Sequence, residues 1–188
     1  MEFQPVTYEH EELPHERSIR VIRLGPHDDL AAPLICHLDA ILLDDEQKPK
    51  YCALSYSWNA QLPSHTIACA SANRAGTLNI TPNCAAAMRQ LRLPTEETVL
   101  WIDSICIDQT SIPERNSQVT LMSEIYRDAD RVVVRLGEKD EAMAGAINLL
   151  QEIGASDGIR EIGAKEDADG EDIRAALHSR ARRLTRGT

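Results

Sequence analysis

The sequence contains no apolar run approaching the roughly 18 residues needed to span a bilayer, so no membrane span is expected. Its acidic start, Met1-Glu2-Phe3-Gln4, lacks the charged and apolar regions of a secretory signal, which makes the cytoplasm the default location. Cysteine pairs at CxxC spacing are absent. Cys36, Cys52, Cys69, Cys84 and Cys106 are odd in number and lie singly, mostly inside apolar segments, so they read as reduced core residues. The six histidines show neither HxxxH nor HExxH spacing, and no metal site is expected. Without a GxxxxGKS/T loop, a GxGxxG turn or a GxSxG elbow, support is lost for P-loop nucleotide binding, Rossmann dinucleotide binding and α/β-hydrolase chemistry. Basic charge is in deficit: 20 Lys and Arg face 30 Asp and Glu, a net charge of -10 that argues against nucleic acid or an anionic membrane as partner. The cluster Arg180, Arg182, Arg183 and Arg186 reads as a solvated helix end.

Against these absences, 188 residues with 43% hydrophobic and 27% charged content suffice for one core. Residues 1–14 are polar and read as a flexible arm, 15–154 as one α/β domain, and 155–188 as a polar linker or marginal helix. Ile19–Leu24 and Leu34–Leu38 read as an antiparallel strand pair, Tyr51–Trp58 as a further strand, and Ile67–Cys69 with Thr77–Ile80 as a small hairpin. Thr81-Pro82 opens a helix running to about Leu93, with Cys84, Met88 and Leu91 on its inward stripe. Glu141–Ile153 reads as a last helix, stopped by Gly154, with Glu138 and Glu141 favouring its N-terminal dipole.

The most informative stretch is Val99-Leu100-Trp101-Ile102-Asp103-Ser104-Ile105-Cys106-Ile107-Asp108-Gln109, followed by a helix and then Val132-Val133-Val134. It reads as strand, acidic loop, helix and strand, with Trp101 in the core. Two apolar strands one helix length apart imply a parallel crossover. Two acids and the amide of Gln109 then sit beyond the carboxyl end of a parallel strand, where open α/β sheets place ligands. Ser111-x-x-Glu114 fits a capping box for the helix, and Val119, Met122, Tyr126 and Ala129 mark its expected buried stripe. The expected fold is α/β, with a largely parallel central sheet, flanking helices and the N-terminal antiparallel pair.

Tyr51-x-Ala53-Leu54-Ser55-Tyr56-x-Trp58, Ile80-x-x-Asn83, Leu91-Arg92, Leu100-Trp101-Ile102-Asp103-x-Ile105-Cys106-Ile107-x-Gln109, Glu114-Arg115-x-x-Gln118-Val119 and Met122-x-x-Ile125-Tyr126-x-x-Ala129 together resemble the fungal heterokaryon-incompatibility (HET) domain. The resemblance runs from about Ile19 to Gly137. It implies a domain of filamentous fungi that acts in non-self recognition and in the cell death following fusion of incompatible cells. It also implies a distant likeness to Toll/interleukin-1 receptor (TIR) domains, with their flavodoxin-like parallel sheet; some TIR domains hydrolyse NAD and others only assemble complexes. Three positions depart from the family's pattern: Asn59 in place of Gly, Asp108 in place of Asn, and Arg135 in place of Trp.

Under this resemblance NAD is a candidate substrate, with no cofactor implied. Cleavage of its nicotinamide–ribose bond passes through an oxocarbenium-like state that a carboxylate stabilises while an aromatic face holds the leaving ring. Asp103 and Glu114 are the candidate catalytic acids, with Glu141 behind them; Tyr56, Trp58, Arg115 and Gln109 are candidate ligand-binding residues. Each has a bland alternative. Tyr56 and Trp58 also suit the core, Asp103 a turn, Glu114 the capping box, and Arg115 a surface ion pair. Whether the chain is an enzyme stays open, because a noncatalytic module that self-associates or binds other incompatibility proteins, or an inactive truncated copy, fits the same sequence.

Overall fold

The computed structural model describes residues 6–58 and 60–135. The readings placed on Asn59, on the helix at 141–153 and on the segment 155–188 lie outside the described residues.

Among the described residues, seven strands form one sheet: β1 (Ser18–Leu24), β2 (Ile35–Leu42), β3 (Cys52–Tyr56), β4 (His65–Ala70), β5 (Ala75–Ile80), β6 (Thr98–Ile102) and β7 (Arg131–Arg135). Their spatial order is β5-β4-β2-β1-β6-β3-β7. The N-terminal pair is antiparallel as expected, with Ile22 opposite Leu38, and β4 and β5 form the expected hairpin.

The largely parallel, flavodoxin-like sheet is not what the chain builds. Three junctions are antiparallel (β5/β4, β2/β1 and β1/β6) and three are parallel (β4/β2, β6/β3 and β3/β7). A parallel junction needs a long crossover, whereas neighbouring strands joined by short connections pair antiparallel. The parallel block β6-β3-β7 arises because a helical connection separates β6 from β7 and β3 slots between them. The expected crossover is therefore present, but it serves only one end of the sheet.

Among the described residues, three helices accompany the strands: α1 (Pro82–Leu91), α2 (Asp103–Cys106) and α3 (Ile112–Asp128). Thr81 caps α1 by accepting the Cys84 amide at 3.3 Å, and Cys84, Met88 and Leu91 are all buried. What reads in sequence as an acidic loop begins as the single turn α2. Trp101 is fully buried in β6 and meets the Tyr126 ring edge-on at 5.4 Å.

The stripe expected on α3 is displaced. Val119 is 60% exposed, while Gln118, Leu121 and Ile125 are buried and Met122, Tyr126 and Ala129 flank them. Apolarity alone misplaces the seam because a polar side chain occupies it: Gln118 Nε2 donates to the Ser18 carbonyl at 2.9 Å, tying α3 to the start of β1. The capping box is half formed. Ser111 Oγ accepts the Glu114 amide at 3.3 Å, but the Glu114 carboxylate is drawn off to Arg20 and to the Asp108 amide.

Candidate functional site

The carboxyl ends of β3 and β6 lie side by side because Cys52, Ala53 and Leu54 pair with Leu100, Trp101 and Ile102 in parallel register. Each strand therefore delivers its exit loop to the same edge of the sheet. Between those exits, β5 and residues 7–10 lies a cavity of about 720 Å³, within the range usual for small-molecule sites.

Tyr56 and Trp58 form its aromatic wall. Their rings stack at 6.3 Å between centroids with planes 13° apart; Tyr56 is buried, whereas Trp58 is 46% exposed. The Tyr56 hydroxyl donates to Ser104 Oγ at 2.9 Å, binding the β3 exit to α2, and burial pushes that phenol up to about 12. The loop beyond Trp58 is held by Asn83. Its side-chain amide donates to the Ser57 carbonyl at 3.0 Å, and its own backbone and side chain exchange hydrogen bonds with the Gln61 amide. Ala60 in this loop adopts a φ of 52°, the left-handed region that L residues avoid.

Ser104, Asp108, Gln109 and Thr110 also line the cavity. Burial pushes the Asp108 carboxyl up, but hydrogen bonds from the Thr110 hydroxyl (2.7 Å) and amide (2.9 Å), helped by the nearby His10, hold it below the usual range. The candidate acid Asp103 is not part of the lining; its neighbour Ser104 is. Burial raises the Asp103 pKa, partly offset by the Ser104 amide that donates to Oδ1 at 2.7 Å. Its backbone carbonyl accepts Gln109 Nε2 at 2.9 Å, which sets the position of Gln109.

Glu114 and Arg115 also lie outside the lining. Glu114 forms a bidentate pair with Arg20, one oxygen with Nη1 and the other with Nη2 at 3.0 Å, and accepts the Asp108 amide at 2.8 Å. It thereby positions the segment bearing Asp108. Arg115 is exposed and reaches the Gln109 carbonyl at 3.4 Å. Of the six candidates, then, Tyr56, Trp58 and Gln109 meet at the cavity, and Asp103, Glu114 and Arg115 stand behind it.

Sequence reasoning passed over two parts of this site. Arg20 sits within β1, and its guanidinium joins the arm (Glu11 carbonyl), the end of α2 (Cys106 carbonyl, 3.0 Å) and α3 (Glu114). β1 carries two arginines, Arg20 and Arg23, and of these Arg20 is buried; an arginine among apolar neighbours in a strand was the available signal. The other part is the N-terminal arm, of which residues 7–10 line the cavity. Tyr8 donates its amide to the Thr77 carbonyl (2.9 Å), Thr77 returns one to Val6 (2.8 Å), and the Tyr8 ring is buried. His10 Nε2 donates to the Ile105 carbonyl at 2.7 Å, and Arg74 bridges to Glu9 at 3.1 Å. Gly76 makes this docking feasible, since a Cβ there would lie 2.6 Å from the Val6 carbonyl oxygen and 2.7 Å from the Tyr8 nitrogen.

Fold and cavity together define a mixed α/β domain with a ligand-sized site at adjacent parallel strand ends. Residues 51–185 match the family model described as Heterokaryon incompatibility protein (HET), and the chain belongs to that family. It is 32% identical over 145 residues to Heterokaryon incompatibility protein 6, OR allele, of Neurospora crassa; the match takes in 72% of this chain and 21% of that protein. The chain thus spans about a fifth of that relative's length. No solved structure matches it. Among the described residues, no helix is long and apolar enough to cross a membrane.

Proposed function

We propose that this chain is an effector domain of fungal heterokaryon incompatibility that takes NAD into the cavity and hydrolyses its nicotinamide–ribose bond, promoting the death of fused, incompatible cells. The observation that carries the reading is that an exposed indole, stacked on Tyr56, and a carboxylate at Asp108 held ionised by its hydrogen bonds line the same cavity. Trp58 receives the nicotinamide ring. Asp108 lies where positive charge develops on the ribose as the glycosidic bond breaks, and a carboxylate fixed there favours the oxocarbenium-like state. Water then adds to the ribose carbon, yielding nicotinamide, ADP-ribose and a proton. Glu114 acts through Asp108 by holding its amide, and Asp103 through Ser104 and Gln109.

The test is nicotinamide release from NAD by the purified chain, followed by chromatography. Release is expected from the parent and from Arg115→Ala, and loss of at least 100-fold from Asp108→Asn and Trp58→Ala, in line with removal of one stabilising group. A folded parent that releases no nicotinamide refutes the enzymatic reading. A second reading, assembly without catalysis, draws on β7, which is the edge strand of the sheet among the described residues and exposes Val132 and Val134. An edge strand of that kind invites pairing with another chain. Light scattering that shows concentration-dependent assembly, abolished by Val134→Lys, favours it.

A further inference from the structure

Cys36 of β2 and Cys69 of β4 face each other across a parallel strand junction, in register, with their sulfurs 3.1 Å apart. Both side chains are buried, and neither forms a disulfide. Neighbouring strands bring Cα atoms to a separation near 4.8 Å, inside the 4.4–6.8 Å range of disulfide-bonded cysteines, and a bond requires the sulfurs to close to about 2.05 Å.

The place of the pair in the sheet gives it consequence. Among the described residues, three residue pairs, Ile35–Ala68, Cys36–Cys69 and His37–Ala70, form the ladder that joins the β4–β5 hairpin to the rest of the sheet. Cys36 and Cys69 are the middle pair. The hairpin supplies Leu78, Asn79, Ile80 and Arg74 to the cavity, so this short seam carries one wall of the site.

We propose that Cys36 and Cys69 are a redox-formed staple, closed to a disulfide by a two-electron thiol oxidant such as hydrogen peroxide, which locks the cavity's β4–β5 wall to the sheet. In the reaction one sulfur attacks peroxide, the O–O bond breaks, and a sulfenic acid and one water form. The second sulfur then displaces the sulfenic oxygen as a second water. The two thiols lose two hydrogens and two electrons in all. The hydrogen bond to Cys69, together with burial, pushes the Cys36 thiol far up, so the closed fold keeps the pair reduced and the reaction proceeds through opening of the seam. The proposal is independent of the chemistry assigned to the cavity.

The test treats the full chain with hydrogen peroxide, then applies intact-mass and peptide mapping without reductant. A loss of 2 Da in mass is expected, with the link retained in Cys52→Ala and lost in Cys36→Ala and Cys69→Ala. Amides of β4 should exchange with deuterium at least 10-fold more slowly in the oxidised chain, and its thermal midpoint should rise by roughly 5–10 °C, since the bond closes a loop between residues 33 apart. A gain of oxygen without a link, a link that survives Cys69→Ala, or an unchanged mass in a chain whose β4 amides exchange would each overturn the proposal.

Discussion

Replacing Glu114 by alanine strands the Arg20 guanidinium in the protein interior. Arg20 retains 4% of its side-chain exposure and Glu114 14%, so neither charge has water enough to replace its partner. Four acceptors surround the guanidinium: two Glu114 oxygens and the carbonyls of Cys106 and Glu11. The substitution removes both anionic ones and also the acceptor of the Asp108 amide. Breaking a buried pair from one side costs about 3–5 kcal/mol, against about 1 kcal/mol or less for a surface pair. Urea unfolding at neutral pH measures the difference, provided the slope with denaturant stays constant. Arg20→Met combined with Glu114→Met leaves no stranded charge, so the double variant should lose less than the sum of the single ones by about 2 kcal/mol. Glu114→Ala costing under about 1 kcal/mol, or additivity within about 0.5 kcal/mol, would refute the burial of this pair behind the cavity.

Gly76→Ala sets a methyl group against the backbone of Val6 and Tyr8; the arm should detach, seen as rapid proteolysis near Glu11 and Glu12, while far-ultraviolet dichroism of the sheet is kept, at a cost of about 1–3 kcal/mol. Cleavage no faster than in the parent would show that the arm tolerates the methyl. Asp103 has a raised pKa when folded, so its ionisation opposes folding above that value, and the penalty fades as pH falls toward the ordinary 3.8. Asp103→Asn should therefore raise the thermal midpoint at pH 7 and lose that advantage by pH 3.5; an advantage that grows on acidification contradicts the assigned burial effect.

Much of this arrangement was legible along the chain. Thr81 before Pro82 and Ser111 before Glu114 signal helix starts through local capping chemistry, and both helices begin there. The Val, Ile and Trp run around Trp101 specifies an interior strand, and its parallel pairing with β3 brings Tyr56, Trp58 and Gln109 to one cavity. The Glu114 reading fared differently. Its spacing to Ser111 announces a capping box, yet a buried cation 94 residues away competes for the same carboxylate and prevails. The displaced stripe on α3 has a similar origin, because the Ser18 carbonyl draws in Gln118 where apolarity pointed to Val119.

The sequence alone determined the existence and type of most elements, their caps and the family, since these depend on periodicity and neighbours within a few residues. Tertiary structure decided the mixed strand order, the docking of the arm against Gly76, the Arg20–Glu114 pair and the meeting of Cys36 with Cys69. Each of those joins residues far apart in the chain, and such pairings are selected by which surfaces bury best together, a property of the assembled sheet that no local pattern encodes.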